Sequence, residues 1–189
     1  GSSGYGCVCR ATPMADTGPA SAIRSAFHSR LQKNAGPIRA LILLLLGVVT
    51  GLGQAPLGLW WVTILALTVF ILLANPAPSA RAAFGFAMWY GIGYFSFSLR
   101  WIVSPFLVEP EVYGWMAPFA VALMATGMAL FWGLAGAIAH RLRPGSGLLL
   151  ALMLTVAEAA RALVLTGFPW ALLGHVWIGT SWSQLSALG

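Results

Sequence analysis

Charge is what this sequence has least of. Of 189 residues, 7% are Asp, Glu, Lys or Arg, where a water-facing domain carries about 25%. Too few polar side chains remain to coat a soluble surface, which excludes an ordinary cytosolic enzyme, a disordered regulator and a collagen-like fibre. Cysteine is nearly absent as well. Cys7 and Cys9 stand together in the N-terminal tail with no histidine near them, so they build neither a disulfide framework nor a metal set and read as unpaired thiols. Lysine occurs once, at Lys33. No Gly-x-Ser-x-Gly elbow, His-Glu-x-x-His pair or phosphate-binding Walker loop occurs anywhere, so no metal, cofactor or self-contained catalytic set is expected.

Apolar residues fill the space: 59% of the chain is hydrophobic and the mean hydropathy is +0.85. The fold class expected is all-α, a polytopic transmembrane helix bundle. Residues 1–37 are rich in Gly, Ser, Ala and Pro with dispersed basic residues and read as a cytoplasmic, partly disordered tail. Residues 1–13 lie upstream of Met14; they are expected to be a scar or upstream translation and stay outside the fold reasoning. Within the tail, Ile23, Phe27 and Leu31 share one face of a short amphipathic helix over Ser21–Lys33. With Arg24, Arg30 and Lys33 beside them, such a helix lies on headgroups rather than crossing them.

The transmembrane domain is expected over 38–189. No charged residue falls between Ala40 and Ala80, and a span takes about 20 apolar residues, so this tract holds two. The spacing predicts spans near 38–53, 57–74, 82–99, 116–139 and 148–165, with a sixth starting about 176. The breaks fall at Gly and Pro clusters: Gly51-Leu-Gly-Gln-Ala-Pro56, Asn75-Pro-Ala-Pro78 and Arg143-Pro-Gly-Ser146. Arg100 to Tyr113 keeps apolar rings but adds Arg100, Glu109, Glu111, Pro105 and Pro110, which suits an interfacial segment better than a span.

Ten basic against four acidic residues give +6. No basic face interleaved with aromatics accompanies that charge, so nucleic acid is not an expected partner. The positions orient the bundle instead. With the N-terminus cytoplasmic, Arg24, Arg30, Lys33, Arg39, Arg81, Arg141 and Arg143 lie inside and only Arg100 lies in an outer loop, the bias that membrane insertion follows.

Glu158 and Arg161, three residues apart, share a helix face inside the fifth span. Ionisable groups at membrane depth pair or mark function. Two readings stay open: a mutually satisfied pair that fixes helix packing, and an Arg161 that snorkels outward to hold a lipid headgroup. Thr166-Gly-Phe-Pro-Trp170 follows at once. Gly167 permits a left-handed helix end, Pro169 stops the helix, and Phe168 and Trp170 suit the interface; a C-cap plus aromatic belt accounts for the composition equally well. His175 reads as a hydrogen-bonded packing residue, and His28 and His140 as headgroup neighbours. Gly127, Gly133 and Gly136 read as small-residue helix contacts.

Taken together, Ala55-Pro-Leu-Gly-Leu-Trp60, Trp101-Ile-Val-Ser104 and above all Glu158-Ala-Ala-Arg161 running on to Thr166-Gly-Phe-Pro-Trp170 resemble the N-terminal membrane half of apolipoprotein N-acyltransferases, over about Ile38 to Gly189. The resemblance implies a bundle of eight membrane helices in a bacterial inner membrane, with a nitrilase-like domain on the periplasmic side. It implies acyl transfer from a phospholipid to a cysteine thiolate of a Glu-Lys-Cys triad. The amino group of a diacylglyceryl-cysteine then attacks the resulting thioester. The partners implied are the phospholipid donor, the diacylglyceryl apolipoprotein and membrane lipids. No cysteine follows Cys9 and no lysine follows Lys33, so no triad position carries over, no catalytic residue is expected in this chain, and the chain alone is expected to be inactive. The positions that match are Trp101, Glu158, Arg161, Gly167, Phe168, Pro169 and Trp170, as substrate-binding or supporting residues. Two other classes compete: a small multispanning transporter or channel subunit with Glu158 and Arg161 lining its path, and a non-catalytic membrane anchor for a partner enzyme.

Overall fold

The computed structural model describes residues 36–164 and 171–177. The chain divides into two units, Gly1–Gly36 and Pro37–Gly189, and the second is described below. The amphipathic stretch 21–33, Cys7, Cys9, His28, the turn Gly167-Phe-Pro-Trp170 and the expected sixth span beyond Trp177 lie outside the described residues.

Among the described residues every regular element is helical. Five long helices follow one another: α1 Gly36–Gly51, α2 Trp60–Ala74, α3 Ala80–Ser98, then, after the one-turn α4 Pro110–Tyr113, α5 Ala117–Leu142 and α6 Gly147–Val164. They fall on the five expected spans to within a few residues. By length and apolar composition α5, with the residues leading into it, and α6 are long enough to cross a membrane; α1 and α2 are shorter apolar helices.

Local chemistry sets the boundaries. After α1 the chain turns through Gln54 and reaches Gly58 at φ +63°, a left-handed conformation that glycine adopts without a Cβ penalty. The second helix accordingly begins at Trp60 rather than Leu57. Ser79 caps α3, its Oγ accepting from the Ala82 amide at 3.2 Å, and Ser146 caps α6, its Oγ accepting from the Leu149 amide at 3.3 Å. The proline-interrupted stretch expected to be irregular forms tight 3-10 turns, Arg100–Leu107 and Gly114–Met116, on either side of α4.

Packing depends on small residues. Where α1 crosses α3, a Cβ on Gly47 would run into the Tyr90 carbonyl and one on Gly93 into the Leu44 carbonyl, so the two backbones touch. Where α3 crosses α5, a Cβ on Gly136 would stand 2.7 Å from the Ala83 carbonyl and one on Gly133 would press on the Phe84 ring. Gly127 has nothing within 4 Å of that position; of the three glycines expected at contacts, it is the one that makes none. Around these crossings the core is a pile of rings. Phe70 stacks on Tyr90 at 3.9 Å between centroids, and Trp132 stacks on Tyr94 at 5.1 Å and on Tyr90 at 5.5 Å.

The long helices alternate in direction. At one end Arg39 of α1 donates to the Leu73 carbonyl of α2 at 2.6 Å and lies over the Phe86 ring of α3 at 4.1 Å, and a shallow cleft joins Asn75, Ala83, His140 and Arg143. At the other end Gln54, between α1 and α2, meets Tyr94 of α3 and Leu172 beyond α6. Outward faces are apolar, with Leu72 67%, Leu123 75%, Leu148 75% and Leu163 80% exposed.

Candidate functional site

The alanines that flank Glu158 and Arg161 let the two side chains lie flat along α6 and reach each other one turn apart. The Arg161 Nη2 donates to both carboxylate oxygens of Glu158, each at 3.1 Å. Arg161 is 0% exposed, while the Glu158 side chain retains 12%. Arg161 therefore does not snorkel: its guanidinium turns inward, with Nη1 3.5 Å from the Met128 sulfur and the carbon centre 4.9 Å above the Phe95 ring. Of the two readings left open by the sequence, the geometry favours the satisfied pair.

The pair is also tied to its neighbours. The Trp132 indole N–H of α5 donates to Oε1 of Glu158 at 2.8 Å, and the Leu173 amide donates to Oε2 at 3.0 Å. A charge in an apolar interior is tolerated when it is paired and hydrogen-bonded, and each carboxylate oxygen here has two donors. Neither Trp132 nor the amide of Leu173 stood out in the sequence. The one available signal was a polar-tipped tryptophan set among Gly127, Gly133 and Gly136, the glycines read as helix contacts.

A second cluster lies beside the first. The Tyr94 hydroxyl donates to the Ala171 carbonyl at 3.0 Å, and Arg161 Nη2 reaches the same oxygen at 3.3 Å. The Gln54 amide donates to the Tyr94 hydroxyl at 2.6 Å and to the Leu172 carbonyl at 3.0 Å. Three consecutive residues, 171 to 173, are thus each held through a backbone group by side chains from the α1–α2 turn, α3 and α6. The segment continues as a 3-10 turn, Leu173–Trp177, in which Val176 is buried and Trp177 packs on Trp60 of α2 with 5.7 Å between ring centroids. His175 lies half-buried in this turn.

Between α2, α6 and this segment runs a groove of about 420 Å³, lined by Leu67, Ile71, Leu154, Ala159 and Leu172, with Glu158 on its wall. Trp101 lies on the 3-10 stretch after α3 with 48% of its surface exposed. Arg100, next to it, folds back over the Phe97 ring at 4.4 Å. The structure therefore brings Glu158 and Arg161 together with Trp132, Tyr94 and Gln54; Gly167, Phe168, Pro169 and Trp170 fall in the undescribed residues just before Ala171.

These features define a class: an all-helical, apolar-faced bundle whose buried ion pair secures the stretch that leaves its last described long helix. The family profile described as the apolipoprotein N-acyltransferase N-terminal domain matches residues 46–189. The curated relatives agree. An apolipoprotein N-acyltransferase of Caulobacter vibrioides is 49% identical over 102 residues, 52% of this chain and 19% of that protein. One from Rhodopseudomonas palustris is 35% identical over 145 residues, 72% of this chain and 27% of that protein. One from Allorhizobium ampelinum is 32% identical over 160 residues, covering 78% and 30%. The chain belongs to the apolipoprotein N-acyltransferase family, and it spans less than a third of the length of these relatives.

Proposed function

We propose that this chain forms the membrane platform of an apolipoprotein N-acyltransferase, in a bacterial inner membrane. The complete enzyme transfers an acyl chain from a phospholipid to the diacylglyceryl-cysteine of a lipoprotein. The observation that carries this reading is the match to the family's N-terminal domain across 46–189, joined to a structure in which the Glu158–Arg161 pair anchors the chain directly after Thr166-Gly-Phe-Pro-Trp170.

The bundle reads as five spans with a cytoplasmic N-terminus. Arg39, Arg81, Arg141 and Arg143 belong to the end where α2 passes to α3 and α5 to α6. Arg100 belongs to the end that holds Gln54 and residues 171–177. Positive charge favours the cytoplasmic side, so the anchored segment faces the periplasm, where the family's acyl chemistry is implied to occur. The apolar outward faces then meet lipid tails, which have no need of polar cover.

The reaction splits one acyl transfer into two easier ones through a thioester, which demands an activated thiolate. Cys7 and Cys9 sit in the tail and lysine is confined to Lys33, so the Glu-Lys-Cys triad implied by the resemblance belongs to the part of the enzyme beyond this chain, and the chain alone transfers nothing. Its share of the work is to hold the platform rigid and to deliver residues 171–177 to the periplasmic face. A transporter path through Glu158 and Arg161 is disfavoured by the burial of Arg161 and by the two donors on each carboxylate oxygen. The test uses the complete enzyme in phospholipid vesicles. Gly167→Leu and Trp170→Ala are expected to slow thioester formation and lipoprotein acylation, and normal rates in both would remove the supporting role.

A further inference from the structure

The sequence resemblance rests most on the string from Glu158 to Trp170, but the side chains that hold the residues following it lie elsewhere in the sequence. Gln54 precedes Leu172 by 118 residues and Tyr94 precedes Ala171 by 77, yet both hold backbone carbonyls of the same short stretch. Trp132 acts one step removed, through Glu158, whose other oxygen takes the Leu173 amide.

Two features indicate that this holding serves position and not only cohesion. Hydrogen bonds converge on three successive residues, two carbonyls accepting and one amide donating, so the stretch is fixed against both translation and rotation. Ala171 itself has φ +51°, a left-handed conformation that a residue with a Cβ enters at a penalty and keeps only when its surroundings over-determine it.

We propose that Gln54, Tyr94 and Trp132 are positioning residues that lock the backbone of Ala171–Leu173 onto the bundle and so set the course of residues 171–177 across its end. The proposal rests on the acyltransferase reading for its consequence but not for its mechanism. Tyr94 and Gln54 each contribute a directly attached donor. Trp132 keeps Glu158 aimed at the Leu173 amide against the pull of Arg161.

The experiment measures two things on the complete enzyme in phosphatidylethanolamine-containing vesicles: amide hydrogen–deuterium exchange across residues 171–173, and the kcat and KM of acyl transfer. The variants are Tyr94→Phe, Gln54→Ala and Trp132→Phe. Tyr94→Phe and Gln54→Ala remove donors to the carbonyls of 171 and 172, Trp132→Phe removes a donor to Glu158, and each is expected to speed exchange at 171–173 by about tenfold, while amides inside α3, α5 and α6 keep their protection. The kcat is expected to fall and the KM for phospholipid to hold. In a second arm Glu158→Gln, which keeps an acceptor for the Leu173 amide, is expected to retain more protection than Glu158→Ala. Unchanged exchange at 171–173 in all three variants would overturn the lock. Faster exchange with unchanged kcat would overturn the positioning role while leaving the hydrogen bonds in place. A parent enzyme that makes no thioester in these vesicles would overturn the acyltransferase reading alone, since the exchange data decide the lock without it.

Discussion

The indole of Trp132 and the carboxylate of Glu158 meet at 2.8 Å across the contact between α5 and α6. This bond is what makes the Glu158–Arg161 pair a feature of the bundle rather than of one helix. An intrahelical pair three residues apart says nothing about how its helix is rotated. An indole N–H on the next helix fixes that rotation, because it reaches only one oxygen at one register. The same tryptophan stacks on Tyr90 and Tyr94, so the polar contact and the ring pile share a single side chain.

Removing one partner of the pair is expected to cost more than removing both. Glu158→Leu leaves a fully buried guanidinium without its counter-charge, and Arg161→Met leaves the carboxylate; each is expected to destabilise the bundle by about 3–5 kcal/mol. The double variant Glu158→Leu/Arg161→Met is expected to lose less than either, because well-packed apolar residues replace the ions. A double-mutant cycle read by unfolding in mixed detergent micelles checks this. Additive losses would mean that the two charges act independently.

Gly127, Gly133 and Gly136 are equivalent in sequence and different in the fold. A Cβ at Gly136 would come 2.7 Å from a backbone carbonyl of α3, whereas Gly127 has open space. Gly136→Ala is therefore expected to force α3 and α5 apart and lower the unfolding midpoint. Gly127→Ala is expected to be neutral or to stabilise by up to about 1 kcal/mol, the helix-propensity difference between the two residues. Thermal unfolding of the two variants side by side separates these outcomes.

The five long helices were legible in the sequence because most apolar runs are bounded by Gly and Pro clusters that end helices by backbone geometry alone, and the third by Arg100 and the charged, proline-bearing stretch after it. The start of α2 was misplaced by three residues because Leu57 and Leu59 are apolar enough to extend the run, and only the positive φ at Gly58 shows that the chain is still turning there. Glu158 and Arg161 were visible as charges in an apolar tract, but their inward orientation was not. A helical wheel places them on one face without saying whether that face meets lipid or α5. Gln54, Tyr94 and Trp132 were invisible as site residues. Gln54 and Tyr94 act on backbone carbonyls, which carry no sequence signature, from up to 118 residues away, and Trp132 acts on the Glu158 side chain from the neighbouring helix.

Sidedness offers a separate check. Leu57 and Val108 are 50% and 80% exposed and lie at the end that holds residues 171–177, while Pro78 and Arg143 are exposed at the opposite end. With Cys7 and Cys9 replaced by Ser, single cysteines at 57 and 108 are expected to react with a membrane-impermeant maleimide in spheroplasts. Cysteines at 78 and 143 are expected to react only after permeabilisation. The reverse pattern would put the anchored segment in the cytoplasm and end the acyltransferase orientation.

The left-handed Ala171 gives the sharpest substitution contrast. Its φ of +51° is a conformation disfavoured for an L-residue by about 1–2 kcal/mol, so the bonds donated by Tyr94, Arg161 and Gln54 and the one accepted by Glu158 hold the backbone against its own preference. Glycine removes that opposition. Ala171→Gly is expected to keep the fold and to leave exchange at 171–173 as slow as in the parent or slower. A β-branched side chain at positive φ meets its own backbone, so Ala171→Val is expected to unlock the segment, speeding exchange there while the long helices stay protected. Equal behaviour of the two variants would mean that residue 171 is not held left-handed, and the hydrogen bonds to its carbonyl would then be incidental to the conformation.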